Sequence, residues 1–354
     1  MAEPLNVWEY EQLAEERLDE GAFGYFAGGA GDEWTLRENL AAFRRWVLRP
    51  RMLIDVGTVT AEATVLGRSV AMPVLVAPTA LHRVLHPEGE IATARGAEAA
   101  GTVLCVSNIC SFSPAELAAA APKGRRWFQL YWGRDRGFTR ELLAAVVEAG
   151  FEALVLTVDL SGLGRRERDL RTSFELPEKY PFPNLPGGVG SGAFHVNLDD
   201  VVDPTLTWAD LEWLRTNCSL PLIVKGVLTA EDADLACEHG AAGIVVSNHG
   251  GRQLDGVAAS LDALPEAAEA VAGRAEVLMD GGVRRGTDVI KALALGAKAV
   301  MVGRPVIWGL AVDGEAGVRR VLELLRDEVL LALILLGCRA PDEVTREHLA
   351  RAAR

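Results

Sequence analysis

The sequence predicts an α/β protein with a (β/α)8 TIM barrel, an N-terminal helical extension and a long loop after the fourth barrel strand. A helical segment rich in Ala and Glu, then a Gly, then a β-branched run recurs along the chain, as in AEAAGTVLCVS and CEHGAAGIVVSNHG. Eight such apolar runs occur between Val74 and about Leu336. Their number and their span of roughly 250 residues fit a closed barrel better than an open doubly wound sheet.

The predicted elements follow in chain order within a single domain, residues 1–354. Residues 1–70 form the helical extension, because WEYEQLAEERL has helical periodicity and GGAGDEWTLRENLAAF is a glycine turn followed by a helix. The barrel is expected over residues 71–340. Its predicted strands are Val74–Ala77, Val103–Ser107, Trp127–Tyr131, Ala153–Asp159, Leu222–Val227, Gly243–Ser247, Val277–Asp280 and Ala299–Gly303. The Pro- and Gly-rich insertion at 177–207 is expected to be a mobile flap over the barrel mouth.

Composition argues against several classes of function. The 354 residues include 36 Lys and Arg against 49 Asp and Glu, and the net charge of −13 disfavours a nucleic-acid partner. The longest apolar run, Val329 to Leu336, is too short to cross a membrane, and the N-terminus lacks the pattern of a secretory signal. Five cysteines without CxxC spacing indicate reduced thiols, a cytoplasmic protein and no metal site.

Polar residues and glycines follow the predicted strands. In a (β/α)8 barrel the C-terminal ends of the strands meet at one face, where the active site lies. The residues at these ends are Pro78 and Thr79, Ser107 and Asn108, Gln129 and Tyr131, Thr157 and Asp159, Lys225, His249 and Arg252, Asp280 to Gly286, and Gly303 and Arg304. One such residue alone is often structural or solvated, whereas a full ring of buried polar ends requires partners. Their joint occurrence predicts a functional site.

Glycine-rich turns after the last two strands predict a phosphate site. The turns supply backbone N–H groups and two guanidinium groups from Gly281, Gly282, Arg284, Gly303 and Arg304. The helix that starts near Gly286 is expected to add its positive end. Lys225 and Gln129, nearer the barrel axis, offer a cation and an amide that suit an isoalloxazine ring. A ring site with one phosphate site predicts FMN.

The other side of the mouth is predicted to bind a small carboxylate. Two arginines and two tyrosines suit a carboxylate with an adjacent oxygen, and the residues are Tyr25, Tyr131, Arg166 and Arg252. His249 beside them can accept a proton, and Asp159 can stabilise the imidazolium that results.

Several motifs occur together from about Val7 to Cys338: AGGAGDEWTLREN, HPEGE, FQLYW, LTVD, LGRRERD, SNHGGRQLDG and DGGVRRGTDVIKALALGA. In this combination the chain resembles the FMN-dependent (S)-2-hydroxy acid oxidase and dehydrogenase family, which includes glycolate oxidase, lactate oxidase and mandelate-oxidising enzymes. The resemblance implies that the catalytic residues are His249, Asp159, Tyr131 and Arg252. It implies that the substrate is bound by Tyr25, Tyr131, Arg166 and Arg252, with Ile109 and Leu163 beside it. The FMN site would consist of Pro78, Thr79, Ala80, Ser107, Gln129, Thr157, Lys225, Ser247, Asp280, Gly281, Gly282, Arg284, Gly303 and Arg304.

The resemblance also implies an activity and an assembly. These are oxidation of an (S)-2-hydroxy acid to the 2-oxo acid, reoxidation of the flavin by O2 with formation of H2O2, and a homotetramer. A dehydrogenase or monooxygenase of the same family, with another acceptor or a decarboxylated product, stays open. Ile109 stands where the glycolate enzymes have Trp, which predicts a lactate-like or larger substrate, a mandelate-type aryl group included. His82-Arg83 follows PTAL where many relatives have a Gln, a difference that the sequence does not explain.

Two other functions are alternatives to a 2-hydroxy acid oxidase. A phosphate-recognising FMN isomerase or nucleotide dehydrogenase would need a catalytic Cys or a second phosphate site, and Cys110 lies just beyond the second strand. A noncatalytic flavin-binding assembly protein would leave the His, Asp and Arg set without a role. A flavin spectrum would separate the flavin proteins from all others, and bleaching by 2-hydroxy acids would separate the oxidase from both alternatives.

Overall fold

The N-terminal extension contains three helices and three short strands. A computed structural model describes residues 3–175, 180–188 and 202–353. The elements of the extension are α1 (Val7–Arg17), α2 (Glu20–Ala27), α3 (Trp34–Ala41), β1 (Trp46–Leu48), β2 (Ala63–Val65) and β3 (Arg68–Val70). Asn6 caps α1 by accepting from the N–H groups of Trp8 and Glu9, and Asp19 caps α2. The extension is therefore helical where predicted, but it also contributes strands that were not predicted.

Eight parallel strands close into a barrel, each paired with the next along the chain and the last paired with the first. They are β4 (Val74–Val76), β5 (Val103–Ser107), β6 (Arg125–Tyr131), β7 (Leu154–Thr157), β8 (Leu222–Val227), β9 (Gly243–Val246), β10 (Glu276–Asp280) and β11 (Ala299–Val302). The predicted (β/α)8 fold is confirmed, and each predicted strand corresponds to one of these eight. The β2–β3 hairpin covers the N-terminal end of the barrel, where the N–H of Leu66 donates to Glu276 Oε2 at 2.9 Å.

The remaining helices of the described residues follow the barrel strands along the chain. They are α4 (His82–Leu85), α5 (Gly89–Ala99), α6 (Pro114–Ala120), α7 (Arg136–Glu148), α8 (Glu167–Thr172), α9 (Asp210–Asn217), α10 (Ala230–Glu238), α11 (Ser260–Val271), α12 (Gly286–Ala294) and α13 (Arg304–Leu336). Short 3-10 turns occur at Ala42–Arg45, Pro186–Gly188, His249–Gly251, Pro341–Glu343 and Arg346–His348. α13 is broken at Asp313 and Gly314, and a last strand, β12 (Leu349–Arg351), pairs antiparallel with β1.

The barrel interior is filled by alternate strand residues, as the two-residue period of a strand requires. The inward apolar layer includes Trp127, Val155, Ile223, Leu278 and Met301, and Val65 and Val70 of the hairpin close it at the N-terminal end. Two residues beyond three of these positions stand Gln129, Lys225 and Asp280. Because side chains two residues apart lie on the same face of a strand, these polar side chains also face the barrel interior, nearer the C-terminal mouth.

About half of the predicted mobile flap at 177–207 lies outside the described residues. Within it, residues 180–188 and 202–207 are described. Val202 forms a single antiparallel bridge with Gly133, and the side chains of Phe182 and Leu185 are buried. In the described part of the chain, no helix is both long and apolar enough to span a membrane.

Candidate active site

A cavity of about 520 Å³ opens at the C-terminal ends of the barrel strands. Most of the predicted site residues line it: Tyr25, Pro78, Thr79, Ala80, Ser107, Ile109, Tyr131, Leu163, Arg166, Lys225, His249, Arg252, Asp280, Gly281, Gly282, Arg284, Gly303 and Arg304. Four others, Gln129, Thr157, Asp159 and Ser247, do not line it. The ends of the barrel strands and the N-terminal extension therefore bring most of the predicted residues to one cavity.

His249 is held in a turn directly after β9. Its backbone has φ of +57°, a left-handed conformation that is uncommon for a residue with a side chain and that recurs at functional sites. Its N–H donates to Ser247 Oγ at 3.1 Å, and its ring Nδ1 lies 2.9 Å from Asp159 Oδ1. Because a carboxylate accepts, Nδ1 carries the hydrogen and Nε2 keeps its lone pair. Burial lowers the pKa of His249 although Asp159 raises it, so the imidazole is neutral near pH 7.

Two residues far apart in sequence position Asp159. β8 has a register irregularity at Gly226, where φ is +115° and a Cβ atom would lie 2.8 Å from the Asp159 Cβ. Gln253 Nε2 donates to the backbone carbonyl of Asp159 at 2.8 Å. Burial alone would raise the pKa of Asp159, but His249 and Lys225 outweigh it and hold the pKa below its usual value. Asp159 is therefore an anion placed to stabilise a charged imidazole.

Arg252 and Arg166 present positive charge to the same cavity. Arg252 Nη1 donates to the carbonyl oxygens of Tyr25 at 2.5 Å and Gly28 at 2.9 Å, and Arg166 Nε donates to the carbonyl oxygen of Arg252 at 3.5 Å. Burial, followed by repulsion from Arg166, lowers the pKa of Arg252 to about 10. Burial also raises the pKa of Tyr131 to about 12, so this phenol stays protonated and can donate. Two guanidinium groups and a phenol that can donate suit the binding of a small anion.

Lys225 and Gln129 lie at the base of the mouth. Lys225 Nζ donates to Ser247 Oγ at 3.0 Å and lies 3.2 Å from Asp280 Oδ2. Burial would lower the pKa of Lys225, but Asp280 and Asp159 raise it above its usual value, so the cation persists. Gln129 is 1% exposed, and neither its Oε1 nor its Nε2 has a hydrogen-bond partner among the described residues. A buried amide without partners costs roughly 1–3 kcal/mol, which a ligand that offers both a donor and an acceptor would offset.

The turn after β10 approaches the extension closely. Gly281 and Gly282 have φ of +94° and +83°, and a Cβ at Gly282 would lie 2.0 Å from the Asn39 carbonyl oxygen. The guanidinium group of Arg304 donates three hydrogen bonds, to the backbone carbonyl oxygens of Phe26, Gly28 and Gly250. Burial lowers the pKa of Arg304 to about 9.

The predicted contribution of the α12 N-terminus to the phosphate site is wrong. The N–H of Gly286 donates to Glu328 Oε2 at 2.7 Å, and the N–H groups of Arg284 and Arg285 donate to Asp288 Oδ2 at 3.0 Å. These donors already have carboxylate partners, which neutralise the positive end of the helix. The donors left for the predicted phosphate site are the Gly281–Gly282 turn, Gly303 and the two guanidinium groups.

The extension forms one wall of the site, and other residues of the SNHGGRQLDG motif contact it. The side-chain amides of Asn39 and Asn248 exchange two hydrogen bonds of 2.8 Å. Asp255 accepts from the backbone N–H of Thr35 at 2.8 Å and so secures the start of α3. At Gly251 a Cβ would lie 2.6 Å from the Leu36 nitrogen. The motif therefore holds the extension in place as well as supplying His249 and Arg252.

Several cavity residues were not predicted from the sequence. They include Leu160, Asp169, Leu170, Ser173, Phe174, Glu175, Phe182 and Leu185. Leu170 follows Arg166 by four residues, a helical spacing that could have identified it, whereas Phe174 lies beyond the end of α8. Phe182 and Leu185 lie in the irregular segment and had no such signal. Asp169 Oδ1 is buried and has no hydrogen-bond partner in the described part of the chain. Burial raises the pKa of Asp169 above its usual value, although Arg252 and Arg166 partly oppose this effect.

Comparison with known proteins identifies the family. The sequence model of the family described as FMN-dependent dehydrogenase matches residues 14–351. The chain belongs to the FMN-dependent dehydrogenase family. It is 50% identical over 355 residues to glycolate oxidase 3 of Arabidopsis thaliana, with 98% of this chain and 96% of the relative covered. It is 49% identical over 360 residues to L-lactate oxidase of Nostoc sp. (strain PCC 7120 / SAG 25.82 / UTEX 2576), with 99% of each covered.

Solved structures of this family of FMN-dependent dehydrogenases include a mandelate oxidase with (S)-2-phenylpropionate. Its fold matches with a TM-score of 0.90 at 44% identity, covering 99% of both chains. The protein is thus an FMN-dependent oxidoreductase. The unpartnered amide of Gln129, the buried cation of Lys225 and the glycine turn at 281–282 fit this cofactor. No group of His, Cys, Asp and Glu among the described residues could hold a metal ion.

Proposed function

We propose that the cavity oxidises an (S)-2-hydroxy acid to the 2-oxo acid and that O2 reoxidises the cofactor, forming H2O2. The observation that carries this proposal is the neutral His249, hydrogen-bonded to Asp159 through Nδ1, in the same cavity as Arg166 and Arg252. The relatives named glycolate oxidase, L-lactate oxidase and mandelate oxidase support the substrate class.

The side chains have distinct roles in this proposal. Arg166 and Arg252 bind the substrate carboxylate, whose charge offsets the repulsion between the two guanidinium groups. The Tyr25 and Tyr131 phenols hydrogen-bond the substrate oxygens. His249 Nε2 accepts the proton that leaves the substrate, and Asp159 stabilises the imidazolium in the buried site. FMN, held by the residues described above, would supply the two-electron acceptor for the electron pair and the second hydrogen of the substrate, and O2 would receive the electron pair and both hydrogens to give H2O2.

An isomerase or nucleotide dehydrogenase with a catalytic thiol is not favoured. Cys110 is buried, its Sγ accepts from Asn184 Nδ2 at 3.1 Å, and it does not line the cavity. Burial raises the pKa of its thiol well above the usual value, which disfavours the reactive thiolate.

The substrate side of the cavity favours a side chain larger than hydrogen. Its apolar residues are Ile109, Leu160, Leu163, Leu170, Phe174, Phe182 and Leu185. One methylene buried there contributes about 0.8 kcal/mol, which corresponds to roughly a 4-fold preference for lactate over glycolate. Larger aliphatic or aryl groups gain more because the apolar residues extend beyond Ile109. We therefore propose a lactate-like or larger substrate, with mandelate-type acids within range.

Ile109→Trp tests this substrate assignment. The indole would fill the recess, so kcat/KM should shift toward glycolate among glycolate, lactate, 2-hydroxyoctanoate and mandelate. Ile109→Leu keeps the side-chain volume and should leave the ranking unchanged. A wild type that prefers glycolate, or a Trp variant with the same ranking as the wild type, would show that Ile109 does not set the substrate size.

The assembly and location proposed for this enzyme are a homotetramer in the cytoplasm. An exposed apolar patch made of Met52, Leu53, Ile54, Leu331, Ile334 and Leu335 supports self-association. Its two parts are adjacent, because the N–H of Arg51 donates to the carbonyl oxygen of Leu336 at 2.9 Å. The free state of all five cysteines agrees with a reducing compartment. Light scattering should give four chains for the wild type and fewer for Leu335→Glu, and a wild-type monomer would contradict the assembly.

A further inference from the structure

His82 is a buried histidine that the chemistry above does not use. It is 2% exposed in the four-residue helix α4, directly behind the cavity residue Thr79. Its ring Nε2 is hydrogen-bonded to Thr79 Oγ1, and its ring Nδ1 lies 2.9 Å from Thr93 Oγ1 on α5. The imidazole therefore links a hydroxyl at the cofactor cavity to a hydroxyl in the surrounding helical layer.

The hydrogen bonds of Thr93 indicate which ring nitrogen of His82 carries the hydrogen. Thr93 Oγ1 lies 3.4 Å from the Gly89 carbonyl oxygen, and a carbonyl oxygen can only accept. A hydroxyl hydrogen that Thr93 donates to this carbonyl leaves the Thr93 oxygen to accept from His82. His82 is then protonated at Nδ1, and its Nε2 accepts the hydroxyl hydrogen of Thr79.

The surroundings keep this imidazole neutral. Burial lowers the pKa of His82 to about 4, far below neutral pH. Glu90, the nearby buried carboxyl group, accepts from the backbone N–H of His82 at 3.1 Å. Burial raises the pKa of Glu90 to about 7. Its contact fixes the α4 turn through the backbone and leaves both ring nitrogens to Thr79 and Thr93.

We propose that His82 is a positioning residue, which holds the Thr79 hydroxyl hydrogen away from the cavity so that Thr79 faces FMN only as an acceptor. The inference rests on FMN occupying this cavity and is independent of the substrate. It gives His82, the first residue of the pair that follows PTAL, a role at the cofactor cavity. A hydrogen of FMN that meets the Thr79 oxygen is bound, whereas an acceptor atom there would be repelled.

The tautomer can be measured without cofactor or turnover. Two-bond ¹⁵N–¹H correlation spectra of the apo-protein, with ¹⁵N-labelled histidine, distinguish a protonated ring nitrogen from an unprotonated one. The His82 signals are identified by their loss in His82→Gln. Protonated Nδ1 with unprotonated Nε2, unchanged when FMN is added, is expected. Protonation at Nε2, or at both nitrogens near pH 7, would overturn the proposal.

Variants then test whether the tautomer acts on the cofactor. Thr93→Val removes the acceptor for Nδ1–H, so the hydrogen moves to Nε2 and the Thr79 hydroxyl turns toward FMN. We expect about a 5-fold higher Kd for FMN and a shifted flavin absorption band, since one neutral hydrogen bond contributes ~1 kcal/mol. His82→Phe should act in the same direction. His82→Gln, which can donate to Thr93 and accept from Thr79, should restore the wild-type values.

The matched control is Thr139→Val. Thr139 is equally buried and donates to the Asp135 carbonyl oxygen at 2.7 Å on α7, away from the cavity. It should leave FMN affinity and the flavin spectrum unchanged. If Thr93→Val behaves like this control while His82→Phe weakens FMN binding, His82 acts through its volume and the proposal fails. If His82→Phe does not fold, Thr93→Val and the apo-protein spectra still decide.

Discussion

His249 is the proposed base, and its ring Nδ1–H donates to Asp159. Replacing His249 by Ala should leave FMN bound, because the glycine turn and Lys225 remain, and should slow flavin reduction by substrate at least ~10²-fold. Anaerobic stopped-flow absorbance measures this rate. His239→Ala is the control, since His239 stacks on Trp208 at 6.0 Å outside the cavity. Reduction at a near-normal rate in the His249 variant would remove the histidine from the mechanism.

Asp159→Asn should change the pH dependence in a defined direction. Burial lowers the pKa of His249 and Asp159 partly opposes that effect, so loss of the carboxylate lowers this pKa further. The base form exists above the pKa, and the reduction rate falls as the pH drops through it. We therefore expect the acid limb, measured from about pH 5 to 8, to move to lower pH. The plateau rate should also fall, because the imidazolium loses its partner; an unmoved acid limb would separate Asp159 from His249.

The extension and the turn after β10 depend on each other through backbone contact. Gly282→Ala would place a Cβ 2.0 Å from the Asn39 carbonyl oxygen, at a φ of +83°. Gly256→Ala is the matched control, with φ of +87° and open space around its Cβ position. Both variants incur the strain of a left-handed residue, about 1–2 kcal/mol. Gly282→Ala should lose at least ~2 kcal/mol more free energy of unfolding in urea, and equal losses would show that the close approach is unimportant.

The strands were predictable because their signal is local. An apolar run after a Gly has one stable environment in a barrel with both sheet faces covered, and all eight runs became strands. Hairpin β2–β3 was missed because its three-residue strands, Ala63–Val65 and Arg68–Val70, contain polar residues and form no continuous apolar run. The capped end of α12 was missed because its partner, Glu328, is 42 residues away along the chain. Contacts between residues that are far apart along the chain produce no repeating pattern in the sequence.

The site was predictable where the barrel itself brings residues together. Strand ends converge in any (β/α)8 barrel, so His249, Lys225 and Arg252 could be grouped from the sequence. Phe182 and Leu185 come from an irregular segment, whose path over the mouth no period specifies. The burial of His82 was equally hidden, since a histidine in a short turn is as often solvated as enclosed.

Four positively charged side chains of the molecule lie together at the cavity in the C-terminal mouth of the barrel. Lys225, Arg252, Arg284 and Arg304 are all buried or lie in its wall, and burial lowers the pKa of the last three. Bound anions should therefore stabilise the fold. We expect FMN to raise the free energy of unfolding of the apo-protein by about 2.7 kcal/mol at one hundred times its Kd. Riboflavin, which lacks the phosphate, should stabilise less at equal concentration, and equal stabilisation would mean that the turns do not bind phosphate.

The central claim is that this chain uses FMN to oxidise an (S)-2-hydroxy acid and returns the electrons to O2. The most direct test is anaerobic mixing of the purified yellow protein with (S)-lactate, (S)-mandelate and their (R)-enantiomers, followed by addition of O2. We predict that the (S)-acids bleach the flavin and the (R)-acids do not, and that O2 restores the colour with one H2O2 formed for each flavin reoxidised. A flavin that no 2-hydroxy acid bleaches, or one that O2 leaves reduced, would contradict the account.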